Sequence, residues 1–173
     1  MFGFYKAYVG IGNNDAPPEI LQKMSLLSAT LAAKGWTLRH TGDKDGAAVA
    51  FEQGAGGQAE AYIAWKGFND RQSEFIPPRN VHPEVITLMK QYIPTFDNIK
   101  PGAHKVISRA VYAIIGKDLR SPAQFVVCWS ADGAESAGEK TAKTGFMGMP
   151  IALASNLKMP VFNLQKLHRA SWK

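Results

Sequence analysis

The chain has 173 residues and a mass of 18.9 kDa, enough for one domain with a sizeable buried core. A hydrophobic fraction of 46% against 20% charged residues excludes a disordered chain, and no apolar run approaches the roughly 20 residues of a membrane span. The net charge of +6 and pI near 9.5 fit anionic partners such as nucleotides or nucleic acid, and equally fit solubility alone, because the basic residues are scattered.

The first residues, Met1-Phe2-Gly3-Phe4-Tyr5-Lys6, run into a strand pattern without a signal-peptide layout. The single cysteine, Cys128, excludes an internal disulfide and fits a reducing compartment, so a cytoplasmic protein without membrane association is expected.

In chain order, Phe4 to Gly12 reads as a strand ending in the turn cluster Gly10-Ile11-Gly12-Asn13-Asn14-Asp15. Asp15 is placed to cap a helix over Glu19 to Lys34, with Ile20, Met24, Leu27 and Leu31 at helical spacing and Gly35 as the stop. Trp36 to Arg39 is a second strand, and Asp45 to Gln53 a second helix ended by Gly54. A third strand is expected over Ala59 to Trp65, followed by an aperiodic loop from Lys66 to Val81 of the length that usually serves function. Two helices follow, one opened by His82-Pro83-Glu84 and closed by Pro94, the other running from Pro101-Gly102 to Gly116. Ala123 to Trp129 is apolar without alternation, as a central strand covered on both faces would be. The polar, glycine-bearing loop Ser130 to Gly145, a helix over Gly148 to Leu157 and a last strand over Met159 to Leu164 complete the pattern. These elements make one α/β domain over 1–165, a Rossmann-like, doubly wound, mainly parallel sheet of about five strands with helices on both faces. A basic tail over 166–173 carries Lys166, His168, Arg169 and Lys173 around Trp172.

In such a sheet, ligands bind outside the C-terminal strand ends where the strand order reverses. Four loops should meet there: Gly10–Asp15, Thr41–Gly46, Trp129–Asp132 and Gly145–Gly148. The turn Thr41-Gly42-Asp43-Lys44-Asp45-Gly46 joins a strand to a helix N-terminus, where backbone N–H groups and the helix dipole favour phosphate. The candidate nucleotide- and phosphate-binding residues are therefore Gly10, Gly12, Asn13, Thr41, Gly42, Asp43, Lys44, Asp45, Gly46, Trp129, Ser130, Gly145 and Gly148. Asp45 either caps the second helix or holds a ribose hydroxyl, and Trp65 or Trp129 either packs beside the core or stacks on a base. His40 sits at a strand end as a satisfied neighbour of the site. No His/Cys/Asp/Glu cluster has metal-ligand spacing, Cys128 reads as inert core, and neither a metal nor a cofactor is expected.

The ordered set Tyr8-Val9-Gly10-Ile11-Gly12, Thr41-Gly42-Asp43-Lys44-Asp45-Gly46-Ala47 with Phe51-Glu52-Gln53-Gly54-Ala55, Phe125-Val126-Val127-Cys128-Trp129, and Gly145-Phe146-Met147-Gly148 with Pro160-Val161-Phe162-Asn163-Leu164 spans nearly the whole chain. It resembles the stand-alone, phage-type Rossmann-like nucleotide-binding proteins of the SLOG superfamily, related to DNA-processing protein A (DprA) and to the LOG "lysine decarboxylase-like" proteins. The resemblance implies binding of a nucleotide or nucleotide-derived ligand, in a phage setting sequestration or sensing of a host nucleotide signal, and assembly as a homo-oligomer through the apolar faces of the 82–93 and 102–115 helices. The LOG resemblance implies cleavage of the N-glycosidic bond of a nucleoside monophosphate, with Glu52 as general acid/base and Arg109 on the phosphate as catalytic candidates. The DprA resemblance implies single-stranded DNA binding. This sequence departs from the family pattern at Asp43-Lys44, where Lys44 adds a phosphate contact, at Ala110 beside Arg109, and at Phe146-Met147, whose bulk is expected to crowd a pyrophosphate. Glu52 also reads as part of a solvated helix face, and Arg109 as half of a structural ion pair.

Overall fold

The structure is a computed structural model that describes residues 5–76 and 79–166. Strands β1 (Ala7–Gly12), β2 (Thr37–His40), β3 (Ala59–Ala61), β4 (Phe125–Trp129) and β5 (Val161–Asn163) form one parallel sheet in the order β3-β2-β1-β4-β5. Helices α1 (Pro18–Ala33) and α2 (Ala47–Ala55) cover one face, while α3 (Pro83–Tyr92), α4 (Pro101–Ile115) and α5 (Gly148–Asn156) cover the other. This is the expected α/β Rossmann-like architecture, and the chain reverses its direction of strand addition between β1 and β4.

Side-chain alternation divides the core in two. Tyr8, Leu38, Val127 and Trp129 pack with Ile20, Met24 and Phe51 under α1 and α2. Val9, Ile11, Val126 and Cys128 pack with Val85, Met89, Val111 and Ile151 under α3 to α5. The apolar faces of α3 and α4, through which the family resemblance implies assembly, supply Val85, Met89 and Val111 to Ile114 to this intrachain core. Cys128 is fully buried there, and burial pushes its thiol pKa far up, as inert core requires.

Several elements are shorter than expected because a strand ends where its partner ends. β3 stops at Ala61, which is level with His40, the last residue of β2; beyond it the Ile63 N–H turns to the Phe75 carbonyl. Asp15 and Asp45 do not cap helices. Pro17 and Gly46 occupy the N-cap positions, and neither helix receives a side-chain cap. The expected basic tail, apart from Lys166, lies outside the described residues.

Gly54 does not end α2; the stop is Gly56, at φ 60. A β-carbon on Gly54 would lie 2.0 Å from the Ser25 carbonyl oxygen of α1, so glycine is what allows the two helices to touch. Ser28 ties this contact together: its hydroxyl donates to the Phe51 carbonyl at 2.6 Å and accepts from the Tyr8 phenol at 2.8 Å. Gly10 and Gly12 serve the same packing from the sheet, since β-carbons there would meet Phe51 Cγ at 2.7 Å and Ala47 Cβ at 2.8 Å.

At an open helix position, Gly→Ala stabilises by about 0.5–1 kcal/mol. Gly54→Ala should instead destabilise by roughly 2 kcal/mol or more, because the added methyl meets backbone rather than a flexible side chain. Denaturant midpoints of the two proteins decide the sign, and a stabilised variant would contradict the packing described.

Candidate functional site

The C-terminal ends of β1 and β4 stand side by side at the reversal point, with Gly12 level with Trp129 and the Asn13 N–H donating to the Trp129 carbonyl at 3.3 Å. The segment Asn13–Asn14 is bracketed by two glycines. On one side is Gly46 (φ 69, ψ −142), whose β-carbon position lies 3.6 Å from Asn14 Cα. On the other is Gly145 (φ 59, ψ −137), whose β-carbon position lies 3.4 Å from Asn13 Nδ2. Only glycine takes such a conformation without strain. Three of the four expected loops therefore meet around Asn13, and the fourth follows directly from Trp129.

Behind Gly46 and Gly145 start helices α2 and α5, neither with a side-chain cap. The first-turn N–H groups of α2 lack intrahelical acceptors, whereas at α5 the Gly148 N–H donates to the Gly145 carbonyl and Pro150 has no N–H; both positive dipole ends flank the Asn13 loop. The Lys140 side chain lies against the start of α5, with Cδ 3.5 Å and Nζ 4.0 Å from the Gly148 β-carbon position. No carboxylate pairs with Lys140 among the described residues.

The loop that carries Gly145 is held by Asp132. Its carboxylate accepts from the hydroxyls of Ser130 (2.7 Å), Thr141 (2.8 Å) and Thr144, and from the N–H groups of Ala134 (3.1 Å) and Thr141 (3.2 Å). Desolvation alone would raise the Asp132 pKa; the hydroxyls of Thr144, Ser130 and Thr141 outweigh it and hold the carboxyl well below the usual carboxylate range. Buried Asn163, at the end of β5, donates to Ser130 Oγ at 2.8 Å and to the Ala134 carbonyl at 2.9 Å. Asn13 closes the arrangement by donating from Nδ2 to the Thr144 carbonyl at 3.0 Å.

The Thr41–Gly46 turn divides in two. Its first half faces the protein. The Thr41 carbonyl accepts from Arg109, the Gly42 carbonyl from Asn69 Nδ2 (3.0 Å) and Arg71 Nε (2.9 Å), and the Asp43 carbonyl from Arg71 Nη2 (3.1 Å). The Gly42 N–H donates to His40 Nδ1 at 3.2 Å, which leaves the proton on Nε2, 2.7 Å from Glu52 Oε2. Arg109 pairs with Asp43 Oδ1 at 3.0 Å and lies 4.7 Å from the Phe68 ring centre; Arg71 pairs with Glu52 at 2.6 Å. Only the second half, Lys44–Gly46 with the first turn of α2, is left for a ligand. Lys44 there makes one exposed pair with Asp70 at 3.6 Å, an interaction of small energetic weight.

Trp129 is buried and donates from Nε1 to Gln165 at 3.0 Å; the Ser130 hydroxyl is engaged with Asp132 and Asn163; Asp45 is exposed. Trp65 is 44% exposed and edge-on to Phe68. Glu52 and Arg109 do not meet: they are joined only through Arg71 and Asp43. Glu52 instead lines an open groove of about 780 Å³ beside β3, with His40, Glu60, Arg71 and Ser73. Of the two bulky residues expected to crowd a pyrophosphate, Phe146 is 93% exposed and Met147 is buried in the α3–α5 core. Sequence reasoning missed Arg71, Asp132, Asn163 and Lys140. The aperiodic 66–81 loop, flagged for its length, was the one signal for Arg71.

Comparison with known protein families, curated proteins and solved structures finds no match to this chain. Among the described residues, no helix is long and apolar enough to cross a membrane, and no group of three or more His, Cys, Asp or Glu residues is arranged to hold a metal ion.

His40 supplies a pH signature. Burial pushes its pKa down to about 4 from 6.5; Glu52 opposes this and Arg71 adds to it. Between those values the unfolded chain binds more protons than the folded one, so stability is complete above pH 6.5 and falls on acidification towards pH 4. The loss should reach roughly 3 kcal/mol, and His40→Asn should flatten that part of the profile. Denaturant unfolding across the window measures it; a wild-type profile flat from pH 7 to 5 would contradict a buried neutral imidazole.

Proposed function

We propose that this protein binds a nucleotide or nucleotide-derived ligand at the C-terminal ends of β1 and β4, phosphate against the starts of α2 and α5. The observation that carries this reading is Lys140 beside the start of α5, which has no side-chain cap. A cation next to a positive helix end is unfavourable by itself and becomes favourable when an anion lies between them. The starts of α2 and α5 flank the same Asn13 loop, so one anionic ligand can engage both, while the glycines let backbone N–H groups approach phosphate oxygens closely. The role that follows is sequestration or sensing of such a ligand. N-glycosidic cleavage would need Glu52 and Arg109 in one pocket, and their separate partners give that reading no support. Single-stranded DNA binding would need several stacking aromatics interleaved with basic side chains along one groove; Phe146 is one exposed ring near Lys140 and Lys143, and Trp129 is buried in the core.

A thermal-shift panel of nucleotides, cyclic nucleotides and ADP-ribose species tests the proposal. At a hundredfold excess over the dissociation constant, a true ligand should raise the melting temperature by on the order of 5 °C. Lys140→Ala and added salt should both reduce the shift. No shift from any member at millimolar concentration would refute binding.

A further inference from the structure

Phe146 is the most exposed large apolar side chain among the described residues, at 93%; the others run from 44% to 64%. Its exposure does not come from a loose loop. Thr141 and Thr144 form a reciprocal capping box within the turn Ala142–Met147, Asp132 accepts from both hydroxyls, and Asn13 holds the Thr144 carbonyl. Immediately after Phe146, Met147 anchors the chain in the core. The backbone is thus fixed on both sides of an aromatic ring that touches almost nothing, one residue from Gly145, which packs against Asn13.

A phosphate alone has no use for such a ring. A docking protein would need a broader apolar patch, whereas Phe146 is preceded in sequence by Lys143, Thr144 and Gly145 and followed by buried Met147, with Lys140 lying against Gly148. A planar, aromatic group attached to an anion satisfies both halves of the site. We infer that Phe146 stacks on the base of the ligand whose phosphate lies at the starts of α2 and α5; this rests on the nucleotide-binding reading of the crevice. The ring is a positioning and selectivity element for a nucleobase-bearing phosphate. Because every base presents a π-face, it favours nucleotides over sugar phosphates without choosing among bases.

Calorimetric titration of the wild type, Phe146→Ala and Phe146→Trp with ADP and with inorganic pyrophosphate tests this. The wild type should bind ADP more tightly than pyrophosphate. Phe146→Ala should weaken ADP about tenfold or more and leave pyrophosphate unchanged, and Phe146→Trp should keep ADP binding, with its added indole emission quenched by ADP and not by pyrophosphate. Because the side chain is almost wholly in solvent, neither variant threatens folding. Equal ADP binding by wild type and Phe146→Ala overturns the stacking role, as does a wild type that holds pyrophosphate as tightly as ADP; in both cases the phosphate site stands. A wild type that binds neither probe overturns the crevice reading and this inference with it.

Discussion

The second helix lies against β1 and α1 so closely that Gly10, Gly12 and Gly54 leave no room for a β-carbon. That contact, fastened by the buried Tyr8–Ser28–Phe51 hydrogen bonds, sets where α2 begins. Gly46 then falls beside Asn14, next to the strand end where sheet order reverses. A side chain on β1 at either glycine would move the helix outward and carry its N-terminal N–H groups away from the ends of β1 and β4. Packing glycines on a strand and turn glycines at its end thus serve one purpose: bringing the start of a helix to the reversal point.

The charged side chains divide the surroundings of that point. Arg71 and Arg109 take three carbonyls of the Thr41–Asp43 segment, and each also pairs with a carboxylate, Glu52 or Asp43. Both arginines are therefore structural ties on the side of β2 and β3, and His40 is held neutral within the same network. On the opposite side, Asp132 gathers the hydroxyls that shape the loop after β4, and Lys140, beside the start of α5, pairs with no carboxylate among the described residues. Each arginine beside β2–β3 is thus matched by a carboxylate, whereas beside β1–β4 the Asp132 charge is met by hydroxyl and N–H donors and Lys140 has no carboxylate partner among the described residues.

The alternation of strands and helices was legible in the sequence because it rests on local signals: the apolar run Phe125–Trp129, the helical spacing of Ile20, Met24 and Leu27, and glycine or proline at the joints. The convergence of loops on the strand ends was legible as a consequence of that topology. Long-range pairing was not. Gly54 looks like a helix stop until α1 is seen against it, and Asp45 looks like a cap until Gly46 is found in that position. Asp132 and Asn163 stand 31 residues apart, joined through Ser130, and neither has a neighbour in sequence that announces the bond. Phe146 and Met147 are adjacent and equally bulky; only the backbone turn at Gly145 sends one into solvent and the other into the core.

Backbone amide chemical shifts recorded while ADP is titrated into the uniformly labelled protein test the crevice most directly. Ligand binding at the starts of α2 and α5 predicts perturbations concentrated at residues 13–15, 46–48 and 145–148, with residues 56–61 and 72–75 of the groove beside β3 unmoved. Shifts confined to that groove, or none at saturating ADP, would contradict the account.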